Sequence, residues 1–212
     1  MSSKLLSPTW AFPAPQSVFV TGTDTGVGKT VISALLVKAW GADYWKPIQS
    51  GLVEGADAET IREAAPEAVI HPSAYCFQAP LSPHEAARLE GVTIALEAFQ
   101  LPKTSRPLVA EGAGGVLVPL NERVLMIDLI VRLGLPVIVV ARSGLGTINH
   151  TLLTIEALAR RDVKVLGIVM NGPANLTNRQ AVEFYSGRPV LAEVLWEQKS
   201  SKNDPGSAFP IA

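Results

Sequence analysis

The segment from Val18 to Thr30 constrains the fold of this chain more than any other. It reads Val-Phe-Val-Thr-Gly-Thr-Asp-Thr-Gly-Val-Gly-Lys-Thr, so an apolar strand-like run passes into a glycine-rich loop that ends in Gly-Lys-Thr. Glycines let successive backbone N–H groups turn toward one anion, and a helix that begins near Lys29 adds its positive end. In such loops the lysine reaches the outer phosphates and the threonine hydroxyl can bind Mg²⁺. The segment therefore predicts a nucleoside triphosphate site that uses Lys29 and Thr30.

The loop is a variant of the usual phosphate-binding loop. The strict pattern Gly-x-x-x-x-Gly-Lys places its first glycine where this chain has Thr23, and the nearest earlier glycine is Gly22. The alternative is a tight turn with no ligand. Strand, glycines, Gly-Lys-Thr and an apolar helix follow one another in the expected order, which favours the nucleotide site.

Composition limits the class of partner. The chain has 212 residues, 48% of them hydrophobic and 17% charged, with a formal net charge of −1. We expect one domain over residues 16–212 with a loose end, preceded by a loose arm over residues 1–15. No basic field is present for nucleic acid or a membrane surface, so the expected partners are small molecules. A single cysteine, Cys76, fits a reducing compartment, and we expect a cytoplasmic protein.

Predicted strands and helices alternate along the chain. The strands over residues 137–140 and 165–169 are apolar without alternation, as expected when helices cover both faces of a sheet. The predicted fold is α/β, a mostly parallel sheet of the P-loop NTPase type with helices on both faces. The same reasoning predicts one continuous strand over residues 43–48, an irregular segment over 71–83 and a flexible glycine segment over 112–115.

Charged residues follow the predicted strands at the edge where ligands bind in such sheets. Lys46 ends the second strand, Asp57 opens a helix and Glu111 closes an apolar strand. Mg²⁺ prefers one or two carboxylates together with other oxygens, so Thr30, Asp57 and Glu111 are candidate ligands. The alternatives are a solvated strand-end lysine at position 46 and a helix-capping carboxylate at position 57. The histidines show no metal-ligand spacing, and Cys76 has no evident base partner.

Several motifs together resemble those of the dethiobiotin synthetase family. They are Gly-Thr-Asp-Thr-Gly-Val-Gly-Lys-Thr at 22–30, Lys-Pro-Ile-Gln-Ser-Gly at 46–51, Ser-Pro-His-Glu-Ala-Ala at 82–87, Glu-Gly-Ala-Gly-Gly at 111–115 and Gly-Leu-Gly-Thr-Ile-Asn-His at 144–150. The resemblance implies an ATP- and Mg²⁺-dependent cyclo-ligase of biotin biosynthesis. Such an enzyme closes a cyclic urea from 7,8-diaminopelargonate and CO₂ through a carbamate and a carbamic-phosphoric anhydride, and releases ADP and phosphate.

The resemblance also implies a role for each matching residue. Lys46 and Lys29 would be catalytic, and Thr30, Asp57 and Glu111 would hold Mg²⁺. The substrate would contact Thr25, Ser50, Gly114, Leu145, Thr147 and Asn149. The nucleotide would contact Gly26, Val27, Gly28, Lys29, Thr30, Val31, Asp57, Glu111, Gly112, Ala113, Gly114, Asn171 and Gly172. The family works as a homodimer, in which the segment 145–149 holds the distant carboxylate of the substrate across the interface. Glu193-Val194-Leu195-Trp196 departs from the family pattern, which puts adenine contacts from residues 194–196 in doubt.

Two other functions fit the phosphate loop. A partitioning ATPase of the same broad fold would carry a second lysine in the loop and an aspartate where this chain has Glu111. A glutamine-dependent amidoligase would need an amidotransferase domain in addition, which 212 residues with one cysteine do not supply. Both alternatives therefore fit the sequence less well than the synthetase.

Overall fold

Strands and helices alternate in the structure, a computed structural model that describes residues 15–51 and 57–195. The strands are β1 (Ser17–Gly22), β2 (Asp43–Trp45), β3 (Ile48–Ser50), β4 (Ile70–His71), β5 (Tyr75–Phe77), β6 (Leu108–Gly115), β7 (Val137–Arg142), β8 (Val165–Asn171) and β9 (Val190–Val194). The helices are α1 (Lys29–Trp40), α2 (Asp57–Ala64), α3 (Pro83–Leu89), α4 (Met126–Leu133), α5 (Thr147–Ala159) and α6 (Leu176–Ser186). A short 3-10 turn, Leu96–Ala98, lies between α3 and β6. The predicted arm up to residue 14 and Trp196 lie outside the described residues.

Seven strands form one sheet in the order β4-β2-β6-β1-β7-β8-β9, and each neighbouring pair is parallel. The predicted fold class is confirmed. Parallel strands need crossover connections, which the helices supply. All seven carboxyl ends consequently meet at one edge of the sheet, where the phosphate loop after β1 also lies. Within residues 15–51 and 57–195, no helix is long and apolar enough to cross a membrane.

Apolar side chains cover both faces of the sheet. In β7 the buried residues alternate between two clusters, since Val137 and Val139 belong to one and Ile138 and Val140 to the other. Successive residues of a strand point to opposite faces, so the two clusters lie on opposite sides. Helices α1 and α2 pack on one side, and α3 to α6 contribute to the other. This double burial explains the uninterrupted apolar strands in the sequence.

The predicted strand over residues 43–48 is divided in two. Strand β2 ends at Trp45, and Ile48–Ser50 forms β3, which pairs with β5 in a separate parallel ribbon. Pro47 has no N–H to donate, and its carbonyl accepts hydrogen bonds from the N–H groups of Ala74 and Tyr75. The chain therefore leaves the main sheet directly after Lys46. The prediction that residues 71–83 are wholly irregular was wrong, because β5 lies among them.

The glycine segment after Glu111 is a strand and not the flexible loop that its composition predicts. Strand β6 continues to Gly115, which lies opposite Gly22 of β1. A Cβ on Gly112 would lie 2.9 Å from the ring of Phe19, so glycine lets that ring close against the strand. Extended pairing with β1 holds the backbone of this segment beside the phosphate loop.

Candidate active site

The phosphate loop turns sharply between β1 and α1. Gly26 and Gly28 both have positive φ angles, of 72° and 93°, which side-chain-bearing residues rarely adopt. A Cβ on Gly28 would overlap the side-chain amide nitrogen of Asn171. Helix α1 begins at the next residue, Lys29, and no acidic residue occupies its first turn. The loop thus presents a helix N-terminus whose free N–H groups suit a phosphate.

Thr30 lies between two carboxylates that come from distant parts of the chain. Its Oγ1 is 2.8 Å from Oδ1 of Asp57 and 3.0 Å from Oε1 of Glu111. Asp57 is the first residue of α2, and Glu111 lies within β6, immediately beside β1. One hydroxyl and two carboxylates therefore converge beside the phosphate loop, as the sequence predicts.

Lys46 faces the same two carboxylates. Its ammonium group pairs with Oδ2 of Asp57 and lies 3.3 Å from Oε1 of Glu111. Burial disfavours the charged ammonium, but the two carboxylates outweigh burial and raise the pKa of Lys46. Burial likewise opposes ionisation of Asp57, yet Lys46 and the Thr30 hydroxyl lower the pKa of that carboxyl. At neutral pH the pair is a lysine cation beside a carboxylate anion.

Lys29 is the second cation of the site. Its side chain is 7% exposed, and Nζ donates to the backbone carbonyl of Asp24 at 3.1 Å. Burial lowers the pKa of Lys29, the nearby charge of Glu111 opposes that shift, and Lys46 adds to it. A lysine ammonium has three N–H donors, and the described residues give this one a single acceptor, so donors remain for a further anion.

The charged residues open into one cavity of about 640 Å³. Predicted site residues that line it are Thr25, Gly26, Gly28, Lys29, Thr30, Lys46, Ser50, Asp57, Glu111, Gly112, Ala113 and Gly114. The hydroxyl oxygen of Ser50 is buried and has no hydrogen-bond partner among the described residues. Buried polar atoms are normally paired, so this hydroxyl is available to a ligand.

The donors in this cavity fit Mg²⁺. Thr30, Asp57 and Glu111 offer only oxygen atoms, which this ion requires, and Mg²⁺ is usually held by one or two carboxylates plus phosphates and water. Across residues 15–51 and 57–195, no three His, Cys, Asp or Glu side chains come together as a metal cluster. Phosphate oxygens and water would complete the coordination of an ion held by Thr30, Asp57 and Glu111.

Asn171 lies at the end of β8, on the far side of the phosphate loop. Its Nδ2 donates to the carbonyl of Val27 at 2.9 Å, and its Oδ1 is buried without a partner in the described part of the chain. Gly172 follows with φ of 146°, and a Cβ there would overlap the hydroxyl of Ser143. Neither Asn171 nor Gly172 lines the cavity around Lys46, and the buried Val27 and half-buried Val31 do not line it either. These four predicted nucleotide contacts therefore lie outside the cavity that holds the charged residues.

The predicted contacts at 145–149 lie apart from Lys46 in this chain. Leu145 is fully exposed, Asn149 is exposed and Thr147 is buried, and none of them lines the cavity. The hydroxyl of Thr147 donates to the carbonyl of Arg142 at 2.5 Å, so that side chain is used within its own loop. One chain alone therefore does not bring these three residues into the cavity with the other predicted substrate contacts.

Sequence reasoning gave no role to two residues that touch the site. The phenol of Tyr44 donates to Oε2 of Glu111 at 3.0 Å, and Arg142 donates to the side chain of Asp24 at 3.0 Å. Tyr44 and Lys46 are two positions apart at the end of a strand, and that period places side chains on one face. This spacing is the signal that could have linked Tyr44 to the site. Nothing comparable marks Arg142.

Comparison with known proteins identifies the family. A profile of the AAA domain family matches residues 16–204. The ATP-dependent dethiobiotin synthetase BioD of Paramagnetospirillum magneticum is 62% identical over 84% of this chain and 87% of its own length. The enzyme of the same name from Brucella ovis is 53% identical over 74% of this chain and 76% of its own length.

The fold is also shared with a ParA family ATPase from Chlorobium tepidum. That structure covers 87% of this chain and 86% of its own, with a TM-score of 0.54 at 10% sequence identity. Identity this low shows a common architecture alone and does not favour the partitioning ATPase. The high identity to the two synthetases, spread across most of each chain, places this protein in the dethiobiotin synthetase family.

Proposed function

We propose that this chain catalyses the ATP-dependent closure of the dethiobiotin ring. The substrates would be 7,8-diaminopelargonate, CO₂ and ATP, and the products dethiobiotin, ADP and phosphate. The observation that carries the proposal is the convergence of two lysines, Lys46 and Lys29, with Thr30, Asp57 and Glu111 at one cavity beside the phosphate loop. Membership of the dethiobiotin synthetase family supports the same reaction.

The cavity suits a reaction in which the protein positions reactants and neutralises charge. One substrate amine would add to CO₂ and lose a proton to give a carbamate. A carbamate oxygen would attack the γ-phosphorus of ATP and expel ADP, and the second amine would then attack the carbamoyl carbon and expel phosphate. Lys46 would hold the carbamate oxygens, while Lys29 would lie between the carbamate and the γ-phosphate. The buried Ser50 hydroxyl would help to orient the diamine together with Thr25 and Gly114.

The nucleotide would lie along the phosphate loop. The N–H groups from Gly26 to Val31 would bind phosphate, and Thr30, Asp57 and Glu111 would hold Mg²⁺. When bound, this ion neutralises phosphate charge. The extended segment from Glu111 to Gly114 would line one side of the nucleotide. The unpaired Oδ1 of Asn171, next to Gly172, would accept a hydrogen bond from the adenine amino group.

We also propose a homodimer in which two chains complete each site. Leu117 and Leu153 are exposed and line one cavity of about 370 Å³, and Leu145 is also exposed, so this surface offers apolar area that a second chain could cover. The start of α5 at residues 145–149 would bind the substrate carboxylate of the other subunit, because a helix N-terminus favours an anion. Single-domain organisation and a cytoplasmic location stay predictions, the latter supported by the free thiol of Cys76.

Turnover of the diamine tests the proposed reaction. Purified protein with Mg²⁺-ATP and bicarbonate should convert 7,8-diaminopelargonate to dethiobiotin and release one phosphate per ring closed. ATP hydrolysis without dethiobiotin would contradict the proposal. A partitioning ATPase would instead sediment with DNA or liposomes when ATP is present, so the same preparation should be tested with both.

A further inference from the structure

Tyr44 places a buried phenol directly against the Glu111 carboxylate. The side chain is 1% exposed, and its Oη donates to Oε2 of Glu111 at 3.0 Å. The other carboxylate oxygen, Oε1, faces Thr30 at 3.0 Å and Lys46 at 3.3 Å. The two oxygens of Glu111 are thus divided, one toward the interior of the protein and the other toward the cavity.

The phenol is held rigidly. Strand β2, which carries Tyr44, pairs with β6, which carries Glu111, and Tyr44 lies opposite Val109 in that pairing. Its ring belongs to the apolar cluster that also contains Ile32 of α1 and Ile61 of α2. Close packing within this cluster leaves the ring little freedom to move, so the fold determines the direction in which the hydroxyl points.

The phenol is also fixed as a proton donor. A phenol ordinarily carries its proton at neutral pH and has one O–H to donate, and the Oη of Tyr44 lies at hydrogen-bond distance from the carboxylate oxygen. A carboxylate can only accept, so the bond runs from Tyr44 to Glu111 and pins Oε2.

We propose that Tyr44 is a positioning residue, which holds the Glu111 carboxylate with Oε1 turned toward Thr30 and so prepares it as a ligand for Mg²⁺. The inference rests on the proposed nucleotide and magnesium site. Partners that hydrogen-bond to a metal ligand orient it, and removing such a partner commonly weakens metal binding. Without the phenol, the carboxylate could rotate and Oε1 would no longer be held beside Thr30.

The test is the Mg²⁺ dependence of ADP binding in the full-length protein. In Tyr44→Phe we expect the Mg²⁺ concentration that half-saturates the calorimetric response to ADP to rise about tenfold. ADP binding in EDTA should stay within about twofold of wild type, since the phenol touches no predicted phosphate contact. Tyr75→Phe is the matched control, because the Tyr75 hydroxyl accepts from the N–H of Ala95 and Tyr75 does not line the cavity.

Two outcomes would overturn the inference. One is an unchanged Mg²⁺ half-saturation in Tyr44→Phe, and the other is an equal loss of ADP binding with and without Mg²⁺, which would indicate a general packing role. A double-mutant cycle that combines Tyr44→Phe with Glu111→Gln adds a second measurement. If Tyr44 acts through Glu111, the effect of Tyr44→Phe on Mg²⁺ dependence should vanish in the Glu111→Gln background.

A spectroscopic measurement covers the case in which Tyr44→Phe does not fold. The chain has three tyrosines, so 3-fluorotyrosine in a Tyr75→Phe/Tyr185→Phe background reports on position 44 alone. Its ¹⁹F resonance should move further on addition of Mg²⁺-ADP than of ADP in EDTA, and identical shifts would contradict the inference. If wild-type protein itself binds ADP without any Mg²⁺ dependence, the proposed magnesium site fails, whether or not the diamine is turned over.

Discussion

The ammonium group of Lys46 is paired with the carboxylate of Asp57, the same carboxylate whose other oxygen lies 2.8 Å from the Thr30 hydroxyl. A single acidic side chain thus joins the lysine proposed for the carbamate to the threonine proposed for Mg²⁺. The positive charge of Lys46 is balanced locally by Asp57 and Glu111. Removing this lysine therefore changes the charge at the proposed reaction centre while the backbone of the phosphate loop is untouched.

Lys46→Ala should lower kcat for dethiobiotin by at least about a hundredfold, because it removes a cation that meets charge developing in the reaction. Binding of Mg²⁺-ADP should survive, since the loop from Gly26 to Thr30 is intact. Phosphate-release kinetics and calorimetry measure the two effects separately. Lys38→Ala, at an exposed position in the last turn of α1, should leave both at the wild-type level. A parallel loss of ADP binding in Lys46→Ala would contradict the assignment.

The sequence was sufficient to predict the edge of the sheet at which the site lies, but not every contact within it. The apolar runs predict parallel strands, and the carboxyl ends of parallel strands meet at one edge of the sheet. This rule predicts that Lys46 and Glu111 lie at the same edge. The pairing of Lys46 with Asp57 depends on side-chain directions that propensity and spacing do not specify. The bond from Tyr44 to Glu111 depends equally on how the ring packs against α1 and α2.

The errors in predicted secondary structure have a common physical cause. Glycines 112–115 look flexible by composition, yet pairing with β1 makes them part of β6. Pro47 breaks a run that otherwise resembles one strand, and the released residues pair with β5. In both places, pairing with a segment distant in the sequence overrode the local preference of the residues. Predictions from local sequence patterns do not include such long-range contacts.

Gly28→Ala should abolish tight nucleotide binding and leave the fold intact. The residue has φ of 93°, and its Cβ would overlap the Asn171 amide, so the loop and Asn171 must both move. We expect a loss of about 1–3 kcal/mol of stability from the strained backbone and at least about tenfold weaker ADP binding. Thermal unfolding and calorimetry measure these quantities.

Gly134→Ala is the control for Gly28→Ala, because position 134 also has a positive φ, of 64°, but no atom within 4 Å of the added Cβ. It should lose a similar amount of stability and bind ADP like wild type. Equal ADP affinities in the two variants would mean that the overlap with Asn171 has no effect on the loop.

Asp43 should make stability depend on pH, at the opposite end of β2 from the phosphate loop. Its carboxylate accepts from the Thr104 hydroxyl at 2.6 Å and the Val69 N–H at 3.1 Å, with Arg106 at 3.3 Å and His71 at 3.7 Å. Burial opposes ionisation, but these donors outweigh it and lower the pKa of Asp43. A carboxyl group whose pKa is lower in the folded state than in the unfolded state stabilises the folded protein. This stabilisation is complete at a pH above the unfolded-state pKa and is lost as the pH falls through the folded-state pKa.

Asp43→Asn should therefore lower the free energy of unfolding by about 2 kcal/mol at pH 7, because hydrogen bonds to a charged acceptor are lost. The difference from wild type should shrink as urea unfolding is repeated from pH 5 down to about pH 3. Asp162→Asn is the control, because Asp162 is exposed and asparagine tolerates its φ of 54°. If the difference in unfolding free energy between wild type and Asp43→Asn is constant with pH, the shape of the Asp43 side chain, and not its charge, stabilises the fold.

Mixing two inactive variants tests whether the site is shared between subunits. Asn149→Asp adds a negative charge to the first turn of α5, which suits the helix but repels a substrate carboxylate placed there. If residues 145–149 serve the other subunit, a heterodimer of Lys46→Ala and Asn149→Asp has one site with both defects and one with none. Heterodimers purified through two different tags should then recover about half of the wild-type activity.

The matched control pairs Lys46→Ala with a chain that carries both Lys46→Ala and Asn149→Asp. Every site in that heterodimer lacks Lys46, so no activity should return even though the subunits associate equally well. If each site were built from one chain, every subunit of the first heterodimer would carry one of the two defects, so mixing could not restore activity. Heterodimers that form and stay inactive would therefore place the substrate carboxylate elsewhere, and a monomeric wild-type protein in sedimentation would remove the shared site altogether.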